Sequence, residues 1–262
     1  MNIAQVRDIV RENIGRDKAS EHLLSWALDM GLREIEKSGN FYWMRGVKTF
    51  SCVVDQQAYS VTTSSSNGLN IPNFKSARIL LTSDQTLSNP DWDEVFGPID
   101  MEEVGLQFAD TDEGQPVAWA LDESTSTTTL VDPATAATAP NILLYPPNPD
   151  LTYSMRLHYY QWTSLPTGTT SSAHEVLVRW PEALIYLATE QALISITKDP
   201  QYATVWHQKF SNPGNPKDPG ELEKMLRYNR VRIQDSRIEF RPFRGGLMHR
   251  RMRWRRNREI WI

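Results

Sequence analysis

The sequence predicts an α+β fold, and three observations lead there. Apolar residues recur at helical spacing at both ends of the chain, short alternating segments broken by turns fill the middle, and the last residues are arginine-rich with no core of their own. The expected arrangement is a helical bundle built from residues 1–44 and 165–235. Into it is inserted an antiparallel β-sandwich or barrel-like lobe over 45–164, and an extended C-terminal tail covers 236–262.

Ile3, Val6 and Val10 stand at helical spacing, with Arg7, Arg11 and Glu12 elsewhere, and Gly15 is the expected stop. A second helix starts near Asp17 or Ser20, both good N-cap types, and presents Leu24, Leu28, Leu32 and Ile35. Ser38-Gly39-Asn40 ends it.

From about Arg45 to Trp162 the texture changes. The stretches starting at Val47, Ala77, Val117, Ile142 and Tyr153 read as strands. Between them lie turn-formers such as Ser64–Gly68, Asn89-Pro90-Asp91 and Pro146–Asp150. The Thr- and Ala-rich stretch 124–140 reads as a long exposed loop, and one short helix is expected near Ile99 to Phe108.

Residues 165–173 look like a linker, and helix returns after it. Trp180, Leu184, Leu187, Gln191 and Ile194 share one face. Apolar residues nearly all round mark this segment as the buried central helix, with Pro181 in its first turn. Another helix covers about Gln201 to Phe210. After the proline-rich 212–220 a last helix starts at Glu221, with Leu222, Met225, Leu226 and Val231 apolar. Two N-terminal helices are too few to bury their own faces, so helices from both ends are expected to share one core.

The single Cys52 rules out an internal disulfide. Charges arrive by Arg7 and Asp8, leaving no apolar signal region, and the longest apolar run falls far short of the ~20 residues a membrane span needs. A soluble intracellular protein with no membrane contact is the expectation. Nucleotide-loop, zinc-protease and hydrolase motifs are missing, and the five His are scattered, so no catalytic, cofactor or metal residues are assigned and the chain is read as no enzyme. His158 reads as a sheet residue. Asp91-Trp92-Asp93-Glu94 reads as a solvated turn, and Glu102 and Glu103 as helix surface.

The end of the chain is the strongest signal. From Arg237 to Ile262 nine Arg, no Lys and two Glu give +7 in a chain whose net charge is −4, so the other 236 residues carry −11. Phe240, Phe243, Trp254 and Trp261 sit among the arginines. Three readings stand: a solvated tail, a nucleic-acid-binding segment in which Arg pairs with phosphates and rings stack on bases, and a docking arm for a protein. Arg and Trp lead the hot-spot residue types, and arginine without lysine suits planar, partly buried contacts. This favours the protein arm, with nucleic acid as the alternative.

Four features together are similar to one family. They are Asn40-Phe-Tyr-Trp-Met after the helix pair; Leu143-Leu-Tyr-Pro-Pro-Asn-Pro with Leu157-His-Tyr-Tyr and Leu165-Pro; Trp180-Pro-Glu-Ala-Leu-Ile-Tyr-Leu-Ala; and Asp199-Pro-Gln-Tyr-Ala-Thr-Val-Trp-His-Gln-Lys-Phe. In this order they resemble the head-to-tail adaptor (connector) proteins of tailed bacteriophages, including those called tail tubular protein A. The resemblance spans most of residues 1–235.

The resemblance implies a structural virion protein at the head–tail junction, assembled in the host cytoplasm. It implies a ring of twelve neighbouring adaptor subunits beneath the portal protein, extending the DNA channel toward a tail nozzle or tail tube protein, with genomic DNA in transient passage. Its C-terminal extension would dock on the portal. The residues at that position here are Arg237, Arg241, Phe243, Arg244, Arg250, Arg251, Arg253, Trp254, Arg255, Arg256, Arg258, Trp261 and Ile262. A −11 body fits a channel wall that does not hold passing DNA.

Overall fold

The computed structural model describes residues 1–15, 19–61, 68–84, 92–100, 103, 107–122, 140–166, 174–212, 215 and 218–239, with side chains at all of these but 196, 197 and 233–239. Helices α1 (Ile3–Ile14) and α2 (Glu21–Lys37) come first. Strands β1 (Arg45–Ser51), β2 (Ala58–Ser60), β3 (Phe74–Asp84), β4 (Asp93–Ile99), β5 (Ala118–Asp122), β6 (Asn141–Tyr145) and β7 (Tyr153–Gln161) follow. Helices α3 (Glu175–Arg179), α4 (Pro181–Ala192), α5 (Pro200–Phe210) and α6 (Glu221–Glu239) close the order.

The helix ends follow local chemistry. The Asn2 side chain accepts from Gln5 N at 2.9 Å while Gln5 Oε1 accepts from Asn2 N at 3.0 Å, a capping box. Ser20 caps α2, its Oγ accepting from Leu23 N at 3.3 Å. The predicted stripe of α1 is buried, as are Leu24, Leu28, Leu32 and Ile35 of α2. In α4 Pro181 occupies the first turn, and Ala183, Leu184, Ile185, Leu187 and Ala188 are all buried. A Cβ on Gly31 of α2 would stand 3.1 Å from Ala188 N, so the absence of a side chain lets α2 and α4 approach closely. One core joins α1 and α2 to α3, α4, α5 and α6, as the helix–strand–helix order predicts.

The strands form one curled, half-barrel sheet in the order β1-β7-β3-β4-β5-β6-β2. β1 pairs with β7 along its length, Arg45 opposite Tyr160, so the chain leaves the helices and returns to them through neighbouring strands. Tyr160 and Leu165 are buried in the helical core, which removes Leu165 from the expected linker; residues 167–173 lie outside the described residues.

The antiparallel sandwich or barrel expectation is corrected to an open mixed sheet. β4 and β5 pair in parallel, because the long connection over 100–117 carries the chain back before β5 begins. Two strands escape the sequence reading. β2 is three residues long, and β4 carries two acids and a proline, all poor strand formers. Asp93 and Glu94 therefore open a strand and not a turn, although both stay exposed; Asp91 lies outside the described residues. Ile99 closes β4 and does not open a helix. Of the segment expected to be helical, 101, 102 and 104–106 lie outside the described residues, as does nearly all of the 124–140 loop.

Gly97 has φ +150, and a Cβ there would stand 2.4 Å from Trp119 O. Only glycine lets β4 bend onto the buried Trp119 of β5. Two helical expectations also change. A π-turn over Leu193–Thr197 follows α4 and shifts the phase, leaving Ile194 exposed. Val231 of α6 is exposed too, and α6 continues to Glu239, so 236–239 are helical and not extended.

Candidate functional site

The described structure ends in α6, at the root of the arginine-rich segment. Leu222, Met225 and Leu226 pack α6 on the helical core. Beyond them Asn229 is buried and ties the helix to the aromatic segment after α2. Its Oδ1 accepts from Tyr42 N at 2.9 Å and its Nδ2 donates to Asn40 O at 2.9 Å. A buried amide satisfied on both sides holds one geometry.

Around this clamp cations and rings alternate. Arg232 lies 5.3 Å from the Tyr42 ring and 5.6 Å from Tyr228, and its Nε donates to Tyr228 Oη at 3.1 Å. Arg179 of α3 stacks over Tyr228 at 5.2 Å and pairs with Glu175 at 2.5 Å. Tyr42 Oη donates to Glu175. Burial, and then the Glu175 carboxylate, push the Tyr42 phenol far above its ordinary range, so it stays a donor. Sequence reading missed Glu175, Arg179, Tyr228, Asn229 and Arg232 as a group. They lie on two helices, α3 and α6, that meet at Tyr42 on a third segment, and only Tyr42 stands in a motif that the sequence singled out.

A second buried network joins the helices to the sheet. The Glu36 carboxylate of α2 accepts from Thr163 N at 3.1 Å and from the Thr163 hydroxyl. Thr163 Oγ1 lies 2.7 Å from His174 Nε2, while His174 Nδ1 accepts from Val176 N at 3.2 Å, capping α3. Since Nδ1 is an acceptor, the ring proton sits on Nε2 and the imidazole is neutral. Lys75 of β3 donates to Glu36 O and, at 2.7 Å, to Gly39 O, and its ammonium lies 4.9 Å from the Trp162 ring. Burial raises the pKa of Glu36 against the pull of Thr163, Arg33 and Lys75, and burial lowers those of His174 and Lys75.

Charge is divided as sharply as structure. Residues 45–164 hold fifteen Asp and Glu against five Lys and Arg, a net −10, nearly all of the −11 outside the last 26 residues. The five cations are Arg45, Lys48, Lys75, Arg78 and Arg156, all on β1, β3 and β7. Between Arg78 and Arg156, a stretch that includes all of β4, β5 and β6, there are fourteen acids and no Lys, Arg or His.

Of the predicted docking residues, Arg237 lies on α6 with its side chain not described. Arg241, Phe243, Arg244, Arg250, Arg251, Arg253, Trp254, Arg255, Arg256, Arg258, Trp261 and Ile262 lie outside the described residues. Among the described residues there is no cluster of three or more His, Cys, Asp or Glu that would hold a metal, and no helix long and apolar enough to cross a membrane. The family model described as SU10 adaptor protein matches residues 1–215. The chain matches no curated protein.

Proposed function

We propose, because the chain belongs to the SU10 adaptor protein family, that it is a structural virion component that binds beneath a portal ring, extends the DNA channel and offers the tail its attachment surface. A phage adaptor family points to assembly and away from catalysis. The observation that carries the finer reading is the charge division. An adaptor needs one surface that grips a partner and another that lets DNA slide past. The +7 end, on a helix clamped by Asn229, suits the first, and the cation-free stretch over β4, β5 and β6 suits the second. Residues 1–44 with 165–235, and 45–164, are taken as two units serving these roles.

The test is a cryo-EM average of the purified chain mixed with a portal ring, in which we expect density for a ring of adaptor copies on one portal face. Deleting 250–262 is expected to weaken portal binding by roughly 2–4 kcal/mol, the range lost with a few hot-spot side chains. Replacing the arginines there by Lys costs less, since charge stays and the planar fork goes. A deletion that spares portal binding and abolishes salt-sensitive DNA binding would put a nucleic-acid-binding role in place of this one.

A further inference from the structure

We infer that the outer edge of β1 accepts an extended acidic segment of a partner protein as an added strand. β1 and β2 are the two edges of the sheet. The edge at β2 is covered by the chain itself, since Leu69 N donates to Ser60 O at 2.8 Å and Ile71 N donates to Val61 O at 2.8 Å. The edge at β1 is different. Its seven residues pair with β7 without a bulge, and no strand among the described residues pairs with its other side.

The register shows which groups that edge offers. Cys52 N donates to Tyr153 O at 2.9 Å, and the register continues from there, so Phe50, Lys48 and Gly46 turn their backbone groups to β7. Val47 and Thr49 turn theirs away from it. Both residues are exposed, Val47 by 55%, and among the described residues neither has a second backbone partner. Two N–H and two C=O groups on a straight strand are a template for another extended chain. A DNA backbone would supply acceptors for the N–H groups and nothing for the C=O groups, whereas a peptide supplies both.

Charge selects the kind of peptide. β1 and β7 hold Arg45, Lys48 and Arg156 and no acid. A lysine in an edge strand deters uncharged and cationic strands, and opposite charges facing across a strand pair attract. The chain has no such acidic strand to spare. β4, with Asp93 and Glu94, already lies between β3 and β5. Asp110, Asp112 and Glu113 stand in a turn held by Asn148, whose Nδ2 donates to Asp110 O at 2.9 Å and whose N–H donates to Asp112 O at 3.4 Å. Residues 123–139 hold two acids in seventeen residues, and residues 240–262 hold eight Arg against one Glu. The partner is therefore a different protein. The inference concerns this edge alone, so it stands or falls separately from docking of the C-terminal segment on a portal.

The test uses the full-length chain and a fluorescent synthetic peptide, Thr-Glu-Val-Glu-Val-Glu-Thr, with a second peptide in which Lys replaces each Glu. Anisotropy is expected to show binding of the acidic peptide that weakens as salt rises, and none of the Lys peptide. Amide exchange followed by NMR should show the Val47 and Thr49 N–H groups exchanging fast in the free chain and slowly with the acidic peptide, while Lys48 and Phe50 stay protected throughout. Thr49→Pro removes an outward donor and leaves the β1–β7 ladder intact, so it should weaken binding about tenfold with the melting temperature held. Lys48→Glu leaves the backbone untouched and should lose the acidic peptide, which keeps the test decisive if the proline variant fails to fold. Equal binding by Lys48→Glu, equal binding by the Lys peptide, or slow exchange at Val47 and Thr49 in the free chain would each overturn the inference. Displacement of the peptide by an equimolar DNA oligonucleotide would assign the surface to nucleic acid instead, and self-association lost in Thr49→Pro would assign it to a second copy.

Discussion

The helical part and the sheet solve the same problem with opposite charge habits. The helices bury a core contributed by both ends of the chain and hold Lys and Arg nearly level with Asp and Glu. The sheet buries Trp119, Ile142, Leu144 and Leu157 on one side and Ala118, Ala120, Leu143 and Tyr145 on another, and the −10 of residues 45–164 lies in its connections, since the strands hold five cations against four acids. Core burial is what folding requires; an unbalanced surface charge contributes nothing to it and costs some self-repulsion. A charge excess confined to one region therefore points to what that region meets. The two regions touch through the Glu36–Thr163–His174 network, where polar groups are buried because they have each other.

The comparison breaks first at α4. Leu187 is 1% exposed, and Leu187→Asp should cost more than about 3 kcal/mol by burying an unpaired charge. Hydrogen exchange should show α2 and α4 losing protection before β5 and β6. Simultaneous loss in all four would make helices and sheet a single cooperative unit.

In the sheet, Gly97→Ala forces a Cβ against Trp119 O in a backbone conformation that L residues rarely adopt. It should cost roughly 1–3 kcal/mol, visible as a lower denaturant midpoint. Little or no shift would mean that β4 bends away from β5 without penalty.

At the contact between the two regions, acid should be destabilising. The folded pKa of His174 lies below its unfolded value, so its contribution is present above about pH 6.5 and is lost as pH falls through the folded pKa. His158, hemmed in by burial and by Arg78, Arg156 and Arg45, acts in the same direction. Glu36 acts oppositely. With its folded pKa raised, its contribution is full below the unfolded value and is lost as pH rises. In the Glu36→Gln variant, where that opposing contribution is gone, melting temperatures between pH 7.5 and 5.5 should therefore fall with acid. His174→Asn keeps a capping side chain without a titrating ring and should flatten that slope. An unchanged slope would assign the effect to His158.

The smallest effect is expected at the end of the chain. Deleting 250–262 should move the melting temperature by less than about 0.5 kcal/mol equivalent, because α6 meets the core through Leu222, Met225 and Leu226. A large drop would place those residues in a core and remove the contrast between body and arm.

Much of this was legible in the residues. The stripes of α1 and α2, the all-round apolar α4, the cap at Ser20, the first-turn Pro181 and the alternation in β7 are written at a spacing that local geometry imposes, so the sequence determined them by itself. The +7 end was also plain, since composition needs no fold to be read. What only the tertiary structure decided was pairing across distance. β4 lies parallel to β5 and antiparallel to β3, which its acids and proline hid. Asn229 reaches back to Tyr42, and Glu36, Thr163 and His174 meet from three segments. Glu190 of α4 meets His207 of α5 at 3.0 Å. These contacts join residues up to 189 positions apart. No local propensity encodes them, because their energy appears only once the hydrophobic cores have brought the segments together.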